Sequence, residues 1–233
     1  LLPAVSHGYK TFSVSRRTFQ SSRGSSVPDG PDQALPAMPV DLPADPLVLF
    51  GDWYAQAAER ELNDPHAMTV ATADRDGYPS LRVLLLKEWS AAGFVFYTNQ
   101  QSAKARALSD NPQAELNFHW KSLQRQVRIH GRVTTVSDAE ADAYFASRPR
   151  ESQIGAWASQ QSQPLASRQA LLDAVAAVGR RHEGRPVPRP PHWSGYCVPP
   201  ETMEFWIADP FRVHQRWRYE RAGEGWRVGW LNP

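Results

Sequence analysis

The chain has 233 residues and a single cysteine, Cys197, so no disulfide can close within it and no multi-cysteine metal site can form. No apolar run approaches the roughly 20 residues needed to span a bilayer, and a soluble protein with no membrane partner is expected. Neither sign of charge dominates: 26 basic and 24 acidic side chains leave a net +2, which provides no field for nucleic acid. The common catalytic signatures are missing as well. Without a Walker loop, a GxGxxG after a strand, an HExxH or a GxSxG elbow, the P-loop, Rossmann, zincin and α/β-hydrolase chemistries lose their support. No metal is expected. What remains is 41% hydrophobic and 11% aromatic, apolar enough for one substantial core or two small ones.

Acidic residues are also missing from Leu1 to Pro28, a stretch holding seven serines and four Lys or Arg, and prolines then recur up to Pro46. Such composition predicts a disordered arm over residues 1–40 and a folded domain over 41–233. Ser15-Arg16-Arg17-Thr18-Phe19 resembles a twin-arginine export signal, but SSRGSSVPDG follows where an apolar stretch is required. A cytoplasmic protein is therefore expected, with organellar import through the Ser/Arg-rich arm left open.

Order begins at Asp45, an N-cap followed by Pro46 at the first helical position and an apolar face through Leu49, Phe50, Trp53 and Ala57. This helix should run to about Leu62. AMTVATA from Ala67, SLRVLLLK from Ser80 and FVFYT from Phe94 then predict consecutive antiparallel strands. A short helix over Ser102 to Leu108 precedes a strand pair, AELNFHW and RQVRIHGRVTTV, turning at Lys121 to Gln124. Ser137 and Glu140 form a capping box. Helices over 153–160 and 167–181 lead through RPVPRPPHW to further strands, MEFWIA, FRVHQRWRYE and WRVGW. Many short strands with interposed helices give an α+β, mainly β, barrel-like domain.

The densest chemistry lies in YFASRPRESQIGAWASQQS, residues 144–162. Tyr144, Arg148, Ser152, Gln161 and Ser162 are richer in anion-ready groups than a solvated helix surface requires. Arg148 offers a planar fork to phosphate or carboxylate, and Ser152 adds a hydroxyl and the N–H groups of a helix start. Taken singly, each is more simply a cap or a surface ion pair. A second basic set occupies the strands: Arg82 and Lys87 at opposite ends of RVLLLK, Ser102 and Lys104 at a helix start, and Gln126 with Arg128. Arg82 alternates in phase with Leu84 and Leu86, and Lys87 with Val83 and Leu85.

RVLLLK, FVFYTN, RQVRIHG, YFASRPRESQIGAW, QQS, HWSGY, EFW and RVH with Arg216 resemble, in order and spacing, the pyridoxine 5'-phosphate oxidase family over about Asp41 to Pro233. The resemblance implies a split β-barrel of antiparallel strands with peripheral helices, forming a homodimer with FMN at the subunit interface. It further implies oxidation of pyridoxine 5'-phosphate or pyridoxamine 5'-phosphate to pyridoxal 5'-phosphate, with O2 as acceptor and H2O2 as product. Carried over by position, the FMN contacts are Arg82, Val83, Leu84, Leu85, Leu86 and Lys87, then Tyr97, Thr98, Lys104, Gln126, Gln161, Ser162, Trp206 and Arg216. The substrate contacts are Lys87, Tyr144, Arg148 and Ser152, with Arg212, Val213 and His214 over the reacting face. Arg212 and His214 are the catalytic candidates. Donors of these types suit a phosphate, a ribityl chain and a ring that accepts electrons.

The chain departs from the family pattern at four places: Ala103 for an arginine beside Lys104, Gln215 for an aspartate, Ser194 for a glycine and Trp230 for an arginine. Two other readings stay open. One is a split-barrel flavin oxidase of the phenazine-pathway type, and the other a non-catalytic FMN or pyridoxal phosphate binder.

Overall fold

The computed structural model describes residues 42–233; the arm expected over 1–40 lies outside them. The first helix, α1, spans Pro46–Arg60, with the Asp45 carboxylate accepting from the Leu47 N–H. It ends two residues short of the predicted Leu62. Strands β1 (Ala67–Ala73), β2 (Pro79–Leu85), β3 (Glu88–Ser90) and β4 (Gly93–Asn99) follow, then α2 (Ala103–Asp110), β5 (Gln113–Trp120), β6 (Arg125–Arg132) and β7 (Thr134–Thr135). Three helices, α3 (Asp138–Ser147), α4 (Arg150–Ala158) and α5 (Arg168–Arg181), precede β8 (Trp193–Val198), β9 (Thr202–Ile207), β10 (Gln215–Ala222) and β11 (Gly225–Trp230).

The strands form two antiparallel sheets, one in the order β11-β10-β9-β6-β5-β1-β2 and one in the order β3-β4-β8-β7. They do not close on each other, which makes the fold a mainly β split barrel with peripheral helices. The predicted run of consecutive strands breaks at Lys87. The Leu86 N–H still bonds to the His66 carbonyl beside β1, whereas the Lys87 N–H bonds to Val95 on β4. Between these two residues the chain changes sheets, so β4 pairs with β3 and β8 and not with β2.

Helix α1 bridges the sheets through aromatic contacts. Phe50 meets Trp89 and Phe94 from the smaller sheet and Phe118 from the larger, with ring centroids 5.0–5.3 Å apart, while Trp53 meets Phe205 and Trp217. Burying a side chain of this size contributes about 1.5–3 kcal/mol. The capping box holds, with Ser137 and Glu140 exchanging hydrogen bonds at the start of α3. Helix α4 begins at Arg150, three residues ahead of the predicted Gln153, with Pro149 as its N-cap and the Pro149 carbonyl accepting from the Ser152 and Gln153 N–H groups.

Candidate functional site

A cleft opens where the sheets part. Its outer chamber, about 500 Å³, is lined by Val83, Leu84, Leu85, Lys87, Tyr97, Tyr144, Arg148, Ser152 and Trp193. An adjoining chamber of about 390 Å³ shares Leu84, Tyr97, Arg148, Ser152 and Trp193 and adds Thr98 and Gln161. Together they fall in the size range of small-molecule sites. The sheet change at Lys87 puts β2 on one wall and β4 on another, and the α3–α4 junction supplies a third.

The aromatic wall is a stack. Tyr97 lies 4.1 Å from Tyr144 and 5.3 Å from Trp193 between centroids, with interplanar angles of 16° and 8°. Gly195 permits it: a Cβ there would stand 2.7 Å from Tyr97 Cε1. Arg148, the C-cap of α3, lays its guanidinium 4.8 Å over Trp193. Its Nη1 is buried and has no hydrogen-bond partner. Burial also pulls its pKa down. A buried guanidinium nitrogen without a partner calls for an anion. The Ser152 N–H is bonded to the Pro149 carbonyl, which leaves its hydroxyl, not its amide, for a ligand.

At the start of α2 stands a second cation group. Lys104 is only 6% exposed, and its Nζ donates to Thr98 Oγ1 (3.0 Å), Ser102 Oγ (3.2 Å) and Gln161 Oε1 (2.8 Å). All three acceptors are neutral. Arg82 likewise donates only to the Val70 carbonyl, Thr72 Oγ1 and Ser80 Oγ. Burial, and then the charge of Arg82, lower the Lys104 pKa to about 8. Two neighbouring cations without a carboxylate, at a helix start, could hold an anion.

The remaining predicted residues lie elsewhere. Gln126, Trp206 and Arg216 align in register across β6, β9 and β10, and the His214 ring sits 4.8 Å from Trp206. Arg212 and Val213 belong to the loop before β10. Four strand spacings separate β9 from β2, roughly 19 Å along the sheet, so one chain does not bring this group to the cleft. Leu86 is 4% exposed and points into the core, and Ser162 lines a separate hollow beside α5.

Sequence reasoning missed three residues that shape the site. Trp193 carries the Arg148 contact, and the HWSGY motif held it unremarked. Arg189 donates to Asp142, to Asp138 and to the Trp193 carbonyl, tying α3 to the aromatic wall. Glu204 accepts from Arg216 Nε (3.1 Å) and Nη2 (2.8 Å) and faces Arg128 at 3.5 Å. No local spacing signals the last two, because the carboxylates that hold Arg189 are 47 or more residues away and the arginines on Glu204 12 or more.

The geometry defines a split-barrel protein with Lys87 and Arg148 lining one cleft and the Lys104–Arg82 pair behind its Thr98–Gln161 wall. A family model described as pyridoxamine 5'-phosphate oxidase matches residues 54–182, and one described as the pyridoxine 5'-phosphate oxidase C-terminal dimerisation region matches residues 193–233. A pyridoxine/pyridoxamine 5'-phosphate oxidase from Caulobacter vibrioides is 58% identical over 189 residues, covering 81% of this chain and 85% of that protein. One from Myxococcus xanthus is 53% identical over 194 residues, covering 83% and 94%. The chain belongs to the pyridoxamine 5'-phosphate oxidase family. Among solved structures, PhzG from Burkholderia lata 383, in complex with tetrahydrophenazine-1-carboxylic acid, aligns with TM-score 0.78 and 34% identity over 83% of this chain and 95% of that one. An FMN-binding protein from Nostoc punctiforme shares the fold at TM-score 0.64 and 18% identity, covering 82% and 100%.

Proposed function

We propose that this protein is an FMN-dependent oxidase that converts pyridoxine 5'-phosphate or pyridoxamine 5'-phosphate to pyridoxal 5'-phosphate, with O2 as acceptor and H2O2 as product. The observation that carries the reading is a pair of cation groups at one cleft: Lys87 and Arg148 line it, and Lys104, with Arg82 beside it, stands behind the Thr98 and Gln161 of its wall, neither group neutralised by a carboxylate. One suits the phosphate of the cofactor and the other that of the substrate. The names of the close relatives support the same assignment. Bound FMN supplies the two-electron acceptor for the substrate's 4'-carbon.

The chain's own residues bind and orient. Lys104, Arg82, Thr98 and Gln161 would hold the cofactor phosphate, and residues 83–86 would offer it backbone contacts. Lys87, Tyr144, Arg148 and Ser152 hold the substrate phosphate. Gln126, Trp206, Arg212, His214 and Arg216 lie too far along the sheet to act on the same chain's cleft, so a second copy supplies them in a homodimer. Leu81 and Val83 on the edge strand β2, 71% and 66% exposed, and the match to a dimerisation region support that assembly.

The test adds pyridoxamine 5'-phosphate to FMN-loaded protein and follows peroxide and the aldehyde product together. Release of both in equal amounts is expected, and bound substrate without peroxide would sink the reading. The likeness to PhzG favours a second reading, since Arg148 would also accept a carboxylate. Turnover of tetrahydrophenazine-1-carboxylic acid in preference to the phosphorylated vitamers would establish that alternative.

A further inference from the structure

The loop between β9 and β10 ties its own ends together. The Asp209 N–H donates to Nδ1 of His214 at 3.2 Å, and Gln215 Nε2 donates to Asp209 Oδ2 at 3.3 Å. Inside these closures Phe211 and Arg212 are both left-handed, with φ of 60° and 66°. Consecutive residues with side chains adopt that conformation only where surrounding contacts enforce it. Here the closures do so, and Gln215 suits the task because a carboxylate at its position would confront Asp209.

A backbone N–H is a donor and nothing else. The ring nitrogen it meets must accept, so the proton of the neutral imidazole sits on the other nitrogen, Nε2. A proton on Nδ1 would face the Asp209 N–H donor to donor. Trp206 braces the ring at 4.8 Å.

We propose that this loop fixes His214 as the Nε2–H tautomer, so that His214 serves the bound substrate as a hydrogen-bond donor and not as the base that takes its proton. The assignment rests on the oxidase reading above. In that reaction the substrate gives up a hydride equivalent to the cofactor and one proton from its hydroxyl or amine. With Nδ1 occupied as an acceptor and Nε2 already protonated, the departing proton passes to water. His214 instead holds an acceptor atom of the substrate in place through Nε2–H.

Long-range proton–nitrogen spectra of the FMN-loaded protein labelled with ¹⁵N-histidine test the tautomer directly, with the His214 signals identified by their loss in His214→Gln. At mildly alkaline pH, where imidazoles are neutral, a bare Nδ1 and a protonated Nε2 are expected. A protonated Nδ1, or a mixture of the two forms, overturns the proposal. Kinetics give a second arm. Glutamine places an amide donor near the Nε2 position and asparagine near Nδ1, so His214→Gln should keep kcat/KM within about tenfold while His214→Asn loses about a hundredfold. Equal loss in both variants, with the acid limb of the pH profile gone, indicates a base and overturns it too. If the unaltered protein oxidises no vitamer, the function reading fails, and the spectrum still decides the tautomer.

Discussion

The cleft and the C-terminal strands both present arginines, but they treat them in opposite ways. Behind the cleft wall Arg82 and Lys104 bond only neutral oxygens, and in the cleft Arg148 keeps a buried nitrogen with no partner. On β9 and β10, Arg216 is held by Glu204 and by the Asn232 carbonyl, and Glu204 also faces Arg128. The first arrangement leaves positive charge for a ligand to complete. The second spends most of its charge within the chain. A region short of counter-charge favours binding over stability, and a region with paired charges does the reverse.

The largest expected effect separates the two directly. Glu204→Ala strands Arg216 beside a half-buried network and should cost about 2 kcal/mol of stability, below the figure for a fully buried pair because Arg216 is 27% exposed. Arg148→Ala should leave the unfolding midpoint of the ligand-free protein nearly unchanged. It should weaken phosphorylated substrate by about 1.5–3 kcal/mol, roughly 10- to 100-fold, with FMN still bound. Denaturant unfolding and substrate titration of both variants check the contrast. If Arg148→Ala released FMN, the division of the cleft into two phosphate subsites would be wrong.

The same contrast explains which features are legible in the sequence. Asp45-Pro46, Ser102, Ser137 with Glu140, and Ser167 each act within a few residues of themselves, and each sits at the helix start its pattern predicts. The cleft cations were legible through motif order. Glu204 and Arg189 were not, because only the pairing of β9 with β10 brings Glu204 to Arg216, and only the packing of α3 brings Asp138 and Asp142 to Arg189. Nor does spacing within SLRVLLLK show that the chain leaves one sheet between Leu86 and Lys87, since that depends on His66 and Val95 competing for adjacent amides. Leu81 and Val83 mislead in the same way: an apolar strand suggests a core, yet both face outward on an edge.

The next effect concerns pH and reports on Lys104. Its pKa of about 8 lies below the ordinary lysine value of 10.5, so the unfolded chain binds more protons than the folded one between these values. Stability of the ligand-free protein should therefore rise with pH across that window. FMN affinity should move the other way, because a phosphate requires the charged ammonium and the free protein must take up a proton to bind above pH 8. A fall of up to about tenfold per pH unit is expected, and Lys104→Met should abolish the slope while lowering affinity throughout. Titrations by flavin fluorescence at a series of pH values would show it. A flat profile in the unaltered protein would mean that Arg82 alone carries the phosphate.

The smallest effect is at Ala103, the first residue of α2, where the family pattern has an arginine. Ala103 lines a hollow of about 440 Å³ with Ser80 and Arg106, so a longer side chain has room. Arg106 folds back over the helix start and donates to the Gln101 carbonyl at 2.5 Å, with no carboxylate partner among the described residues. If the phosphate sits between Arg82 and Lys104, Ala103→Arg adds a cation at its exposed edge. The variant should bind FMN about 1 kcal/mol more tightly, at the low end for a charge-assisted contact because the hollow is open to solvent. The gain should come from slower dissociation, shrink as salt is raised, and leave kcat at saturating FMN unchanged, since the phosphate is remote from the reacting ring. Apo-protein titrations at low and high salt, run in parallel with Arg106→Ala, decide the point. Unchanged affinity in Ala103→Arg together with a loss in Arg106→Ala would show that Arg106 already supplies the charge. Unchanged affinity in both would move the phosphate away from this helix start.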